Sequence, residues 1–410
     1  MGDRPRIAVF STLFPSPVNP TAGLFIRERM FRVAQHFRLV VVAPQPWFPF
    51  QGIVRRWRPY FRLPAPYRER QSGVEVYRPR YFSVPGLFKR LDGLFMALGA
   101  LRTLRQLKRG EGIDLIDAHF AYPDGYAASL LGRWLGRPVT VTLRGTETRL
   151  LAFEAFRKRI LTALARAVRV FSVAGALKEA AVAAGASGDK VRVVGNGVDT
   201  TRFYPVDRSW ARQQIGIPED APVLISVGGL VERKGFHRVI EQLPQLCQRF
   251  PNLHYVIVGG GGGEGDRRAA LETQAERLGL RGRVRFLGPI EPDRLRVPLS
   301  AADVFVLATR NEGWANVFLE AMACGLPVVT TEVGGNAEVV PRAFGTLVPF
   351  GDGAALRAAM AEALTRPWDR RSIRAYAERN SWDRRVRALV EELEAAVAAD
   401  RERMPAMKES

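Results

Sequence analysis

Two carboxylates and a cation pair in this 410-residue chain have spacings that suit chemistry. Glu312 and Glu320 stand eight positions apart in NEGWANVFLEAMACGLPVV (311–329), and Arg233 and Lys234 sit in ISVGGLVERKGFHRVIEQL (225–243). Adjacent cations beside Gly228, Gly229 and a helix start suit a diphosphate, because glycines let the backbone approach while the cations neutralise charge. Taken alone, the pair also reads as two solvated side chains in a loop. Glu312 falls just before a helix expected from Ala315 to Ala323 and closed by Gly325 and Pro327, where the helix dipole favours a carboxylate by about 0.3–1 kcal/mol. Glu320 resists that account. Its neighbours Leu319, Ala321 and Met322 are apolar, and a half-buried carboxylate among them needs a hydrogen-bonding partner. A ligand hydroxyl would serve.

The elements that must position these groups alternate in type. IAVF (7–10), RLVVVAP (38–44), LIDAHF (115–120), VTVTLRG (139–145) and VFSVA (170–174) read as buried strands with helical text between them. The alternation restarts with VLISVG (223–228), YVIVGG (255–260), VRFLG (284–288), VFVLAT (304–309) and PVVTT (327–331). Near-continuous apolar strands separated by helices imply parallel sheets covered on both faces. The fold class is therefore α/β with two doubly wound, Rossmann-like domains. Their linker is placed in GNGVDTTRFYPVDRS (195–209), which is rich in turn formers. In such sheets ligands bind beyond the carboxyl ends of the strands, where the motifs above lie.

Composition narrows the classes. A chain that is 47% hydrophobic and 25% charged fits a globular protein of two or three domains. The start lacks a small-residue cleavage site, so a cytoplasmic location is expected. The longest apolar run in the N-terminal half, Leu94 to Leu101, is far below the roughly 20 residues needed to cross a bilayer. Cys247 and Cys324 read as buried, unpaired thiols in helical text.

The net charge of +20 implies attraction to something anionic. Much of it lies between Val54 and Arg109, where Trp57, Tyr60, Phe61 and Tyr67 interleave with arginines and a leucine-rich amphipathic pattern follows over 87–109. That pattern could be a helix docked on its own domain, an anionic membrane surface, or a nucleic-acid site. Nucleic acid is set aside because no zinc-finger, RRM or recognition-helix pattern accompanies the charge.

ISVGGLVERKGF, VVGNGVDTTRFYP (193–205), the stretch 311–340 and SWDRR (381–385) together resemble the retaining glycosyltransferases of family 4, which have the GT-B fold, over nearly the whole chain. The resemblance implies an N-terminal acceptor domain (1–200), a C-terminal nucleotide-sugar domain (201–375), and a C-terminal helix and tail (376–410) returning to the N-terminal domain, with reaction in the cleft between the domains. It implies that Arg233 and Lys234 hold the diphosphate of a UDP- or GDP-type sugar donor, that Glu320 holds the ribose, and that Glu312 contacts the transferred sugar. Gly228 and Gly229 form the turn, and backbone N–H groups of Ala315, Asn316, Val317 and Phe318 assist. The segment FLGPI (286–290), with Gly288, lines the base pocket. In NPTAGLFIRE (19–28), Gly23 faces the phosphates. His119 matches the histidine beside the reacting sugar, although a strand-end histidine alone is often structural. Many members have His-Gly-x-Asp where this chain has Arg144, Gly145, Thr146 and Glu147, which puts the acceptor role of that loop in doubt. An arginine there suits an acceptor phosphate or carboxylate.

Cleaving a sugar–diphosphate bond develops negative charge on the leaving group, which cations and amides stabilise. No two aspartates lie two apart, so the metal-binding Asp-x-Asp is absent; no metal and no separate cofactor are expected. Retention by front-face attack, with the leaving phosphate taking the acceptor proton, is what the resemblance implies. The acceptor is expected to be a saccharide, lipid-linked in envelope polysaccharide assembly, with the protein on the inner membrane face. Three rivals remain. Residues 260–265 match the dinucleotide-binding G-x-G-x-x-G, so an NAD-dependent oxidoreductase is formally open; the same fold hosts sugar-nucleotide epimerases; a lipid- or nucleic-acid-binding protein without catalysis would leave Glu320 and the cation pair unexplained.

Overall fold

The computed structural model describes residues 4–20, 22–58, 61–262 and 265–406; Thr21, Tyr60 and the 263–264 part of the glycine tract lie outside the described residues. The chain divides into two units, one formed by residues 1–196 and 385–410, the other by 197–384. Residues 376–384, expected to leave with the C-terminal segment, belong to the second unit. There Ile373 and Ala377 are buried and the Tyr376 hydroxyl donates to Val339 O at 3.1 Å.

The first unit contains β1 (Arg6–Phe10), β2 (Arg38–Val42), β3 (Gln45–Trp47), β4 (Arg68–Gln71), β5 (Val74–Tyr77), β6 (Arg80–Phe82), β7 (Leu115–His119), β8 (Val139–Leu143), β9 (Arg169–Ser172) and β10 (Val191–Val193). Eight of them form one sheet in the order β10-β9-β8-β7-β1-β2-β5-β4, while β3 and β6 form a separate parallel pair. β1, β7 and β8 are buried along their whole length, which is why they read as mostly apolar runs, with Asp117, His119, Thr140 and Thr142 as buried polar exceptions. β4 and β5 are an antiparallel hairpin closed by Ser72 and Gly73, both at positive φ, the turn geometry that matches strand twist. The helix Asp92–Gly110 buries Met96, Ala97, Ala100, Leu104 and Leu107. The part of the amphipathic pattern from Asp92 on thus forms a helix docked on its own unit. Leu87 and Leu91 precede that helix instead of extending it.

The second unit contains β11 (Val223–Val227), β12 (His254–Val258), β13 (Val284–Gly288), β14 (Val304–Leu307), β15 (Val328–Thr331) and β16 (Gly345–Val348), in the order β13-β12-β11-β14-β15-β16. All its pairings are parallel. In each sheet the chain order reverses once, between β1 and β7 and between β11 and β14. The final helix, Trp382–Ala406, carries Glu392 into ion pairs with Arg169 (2.8 Å) and Arg192 (3.2 Å) of the first unit and buries Leu389, Val390 and Leu393. Among the described residues no helix is long and apolar enough to cross a membrane. Both cysteines are free; Cys324 is buried and Cys247 half-buried.

Candidate active site

In the second unit, the two strands that flank the reversal deliver the cation pair and Glu312 to one place. After β11, the chain passes Gly228 and Gly229 and enters a short 3₁₀ turn, Glu232–Lys234. Gly235 follows at φ 76°, and a Cβ on it would fall 1.9 Å from Ala308 O. Only glycine lets the turn lie directly on the end of β14. Two contacts fix it there: the Arg310 N–H donates to Arg233 O at 2.7 Å, and Thr309 Oγ1 lies 3.1 Å from the same oxygen. The Glu312 carboxylate is thereby presented to both cations, with Oε1 2.5 Å from Lys234 Nζ and 3.4 Å from Arg233 Nη1. The side chains of Glu312 and Lys234 are only 9% and 14% exposed, against 33% for Arg233. Such a pair is stronger than a solvated one, and its partner losses costlier. After internal neutralisation the triad keeps one net positive charge, with Arg233 its most accessible member.

Beside the triad begins the helix Asn316–Ala323, whose N-cap Ala315 offers no side-chain cap. Phe318 and Leu319 face the core while Asn316, Val317 and Glu320 are half-buried. Glu320 lies about one turn into that helix, which starts four residues after Glu312. Gly288 ends β13, two strands from β11, and its carbonyl accepts the Gly259 N–H at 2.9 Å. The structure thus unites Arg233, Lys234 and Glu312 by direct contact, while the helix that bears Glu320 follows β14 and Gly288 ends β13, on the far side of β11 and β12 in the same sheet. The glycine tract from 260 follows β12, away from the reversal point, so the dinucleotide reading loses its topological support.

In the first unit, β1 and β7 play the corresponding part. Gly23 caps the helix Leu24–Val33 at φ 67°, where a Cβ would meet Leu13 O at 2.2 Å. His119, the last residue of β7, is fully buried. Its Nδ1 accepts from Arg144 Nη2 at 2.9 Å, which places the imidazole proton on Nε2, 3.4 Å from Asp117 Oδ2. Burial, then the charges of Arg144 and Arg29, hold its pKa well below the ordinary value, so the ring is neutral. The histidine expected beside the reacting sugar is therefore closed off from solvent, inside a network with Arg144.

Arg144 is itself turned inward. Its Nη1 donates to Asn196 Oδ1 at 3.0 Å and its guanidinium lies 5.1 Å from the Phe25 ring centroid; burial pushes its pKa well down. The Glu147 carboxylate accepts the backbone N–H groups of Ala121 (2.9 Å), Arg144 (3.1 Å) and Gly145 (2.7 Å), so it is a scaffold for the loop. Sequence reasoning missed three members of this cluster. Burial raises Asp117 to about 6 and Asp124 to about 7, and lowers Arg29 to about 10. Asp124 accepts from Thr12 N (2.5 Å) and Thr12 Oγ1 (3.2 Å), tying the loop after β1 to the end of β7. Asp117 was legible, since a strand places residues two apart on one face and His119 is two positions on.

Known proteins match on both halves. Residues 207–380 match the family described as Glycosyl transferases group 1, and residues 32–202 match Glycosyltransferase Family 4. TuaC of Bacillus subtilis, a glycosyltransferase provisionally assigned to teichuronic acid biosynthesis, is 30% identical over 374 residues, covering 88% of each chain. A D-inositol 3-phosphate glycosyltransferase of Corynebacterium urealyticum is 37% identical over 213 residues, about half of each chain (49% and 50%). Among solved structures, Alr3699/HepE of Anabaena in complex with UDP superimposes with a TM-score of 0.70 at 20% identity, over 95% of this chain and 100% of that one.

Proposed function

The chain belongs to the family 4 type of glycosyltransferases with the GT-B fold, and from that premise we propose that it moves a sugar from a nucleotide-diphosphate donor, of UDP or GDP type, to a hydroxyl of a lipid-linked saccharide with retention at the anomeric carbon. The observation that carries the donor half is the Arg233–Lys234–Glu312 triad at the strand reversal of the second unit. In this reading Arg233 and Lys234 take the charge that develops on the leaving diphosphate, Glu320 holds the ribose hydroxyls, and Glu312 passes from its cation partners to the sugar hydroxyls. Gly228, Gly229, Gly288 and the amides of residues 315–318 complete the donor pocket. In the first unit, the family resemblance assigns Gly23 to the phosphates and His119 to the reacting sugar, and Arg144 holds that histidine neutral.

No protein carboxylate is needed as nucleophile. The acceptor attacks from the face that the diphosphate leaves, and its proton passes to the departing phosphate oxygen. In this reading no divalent ion takes part, and the transfer rate should be unchanged by added chelator. The provisional assignment of TuaC to teichuronic acid assembly supports an envelope polysaccharide as the product and work at the inner membrane face.

Calorimetric titration of UDP, GDP and ADP into wild type and Glu320→Ala without metal tests the donor site. Micromolar binding of one nucleotide, weakened in the variant, is expected. Binding of NADH with none of the three would overturn the assignment of donor.

A further inference from the structure

Half of the exposed large apolar side chains of this protein are concentrated in about an eighth of its length. Among the described residues eighteen such side chains are exposed, and nine of them fall between Phe50 and Leu98. Singly scattered surface hydrophobes are ordinary; clustered ones mark an interaction surface. The same stretch holds ten arginines and lysines against three acids. All three acids are already taken: Glu75 by Arg68, Glu69 by Arg78 and Asp92 by Lys89.

The topology of β3 and β6 sets the two most apolar segments side by side. These strands are parallel, with Trp47 opposite Phe82, so the segments that follow them leave from the same end. The first carries Phe50, Ile53 and Trp57; the second carries Leu87, Phe88 and Leu91. Arg62 Nη1 donates to Ser83 O at 2.6 Å and Lys89 Nζ donates to Ser83 Oγ at 2.9 Å, which ties the segments at their base. Phe50 is 82% exposed, Trp57 75% and Phe88 60%. Phe50 and Phe88 have φ of 61° and 54°, a region that a bulky residue enters only under constraint. Arg56, Arg58 and Arg90 are exposed alongside them.

From this juxtaposition we infer that the tips of the two segments form a docking surface for an anionic lipid bilayer, with the six apolar side chains entering the headgroup boundary and the arginines pairing with phosphates. The surface is distinct from the helix Asp92–Gly110, whose apolar stripe the core already uses. A bilayer alone takes both kinds of side chain at once. Nucleic acid would use the cations and stack on the aromatics, but it has no use for Ile53, Leu87 and Leu91. A second copy of so basic a face would be repelled. The inference deepens the lipid-linked reading of the acceptor and makes no use of the donor site.

The test is co-sedimentation of the full chain, without nucleotide, with vesicles of phosphatidylcholine alone and of phosphatidylcholine mixed with phosphatidylglycerol. Binding to the mixed vesicles only is expected, reduced about tenfold in Trp57→Ser/Phe88→Ser and again in Arg56→Glu/Arg58→Glu. The vesicle-induced blue shift of tryptophan emission should vanish in Trp57→Phe. Equal binding to both vesicle types, or full binding and an unchanged shift in the variants, overturns the inference, as does self-association or RNA binding that the same substitutions abolish in place of vesicle binding. Nucleotide titration of each variant should match wild type, so loss of the membrane surface and loss of the donor site are read separately.

Discussion

Replacing Glu312 by glutamine separates the two roles the site gives it. In the free protein the Glu312 carboxylate occupies the two cations that the proposed function assigns to the diphosphate, at 2.5 Å from Lys234 and 3.4 Å from Arg233. At the shorter distance and an effective dielectric of about 20, the gross attraction is roughly 7 kcal/mol. Desolvation of two nearly buried groups cancels most of that, leaving a competing pair worth about 1 kcal/mol. Glu312→Gln keeps the shape and a hydrogen bond to Thr309 while removing the competing charge. Bare UDP or GDP should then bind as well as before or up to about fivefold tighter. Transfer should behave oppositely. Under the proposed role of Glu312 toward the sugar hydroxyls, the variant loses a charge-assisted bond in the transition state, so kcat/KM should fall by about 10- to 100-fold. Calorimetry reads the first quantity and initial rates with radiolabelled donor read the second. Weakening of bare nucleotide by more than about tenfold would refute the reasoning, because Glu312 would then serve to hold the cations in place and not to compete for them.

Three further outcomes are expected. Gly235→Ala should cost the second unit roughly 3 kcal/mol in thermal or urea unfolding, since both its φ and the 1.9 Å approach to Ala308 O forbid a Cβ without movement; an unchanged midpoint would show that the turn is free to shift. Burial raises Asp124 from 3.8 to about 7, so the stability it contributes is whole below about pH 4 and is lost as pH rises toward 7, at up to about 1.4 kcal/mol per pH unit. Its neighbour His119, depressed below 6.5, slopes the other way, favouring the fold above that value and losing it as pH falls. Urea midpoints across this window should fall less steeply with rising pH in Asp124→Asn than in wild type, and an identical slope would rule out a protonated Asp124. Finally, nitrogen NMR should find His119 neutral with its proton on Nε2, and Arg144→Met should move its titration upward; a wild-type imidazole already titrating near 6.5 would contradict the enclosed network.

Most strands were legible because they are buried on both faces. β1, β7, β8, β11 and β14 are buried almost throughout, so apolar residues dominate them and the runs stand out even where Asp117, Thr140, Thr142 or Ser226 interrupts. The hairpin β4–β5 was not seen, since RERQ and VEVY alternate at a sheet edge and carry charge on the open side. β16 (GTLV, with its middle positions only half-buried) and the three-residue β10 (VRV, two of three positions exposed) carry too little apolar text to stand out from turns. The triad was legible in part. Its residue types and the strand ends that bear them follow from glycine turns and apolar runs, but that Lys234 and Glu312 touch depends on Gly235 seating the turn on Ala308, a register between distant strands. The Asp117–His119–Arg144 cluster was least legible, because a buried arginine looks in sequence like any of the other arginines in this arginine-rich chain.

The return of the last helix to the first unit has a consequence for synthesis. Residues 197–384 form one unbroken stretch and hold every contact of the triad, so this unit can fold as soon as it leaves the ribosome. The unit begun first must wait. Its partners for Arg169 and Arg192 reside in Glu392, and the apolar face of Leu389, Val390 and Leu393 arrives only with the final residues of the chain. The usual N-terminal-first order of assembly should be inverted: the first unit, though earlier in the sequence, should complete after the second, and a chain cut short before residue 385 should yield a sound second unit joined to an incomplete first one.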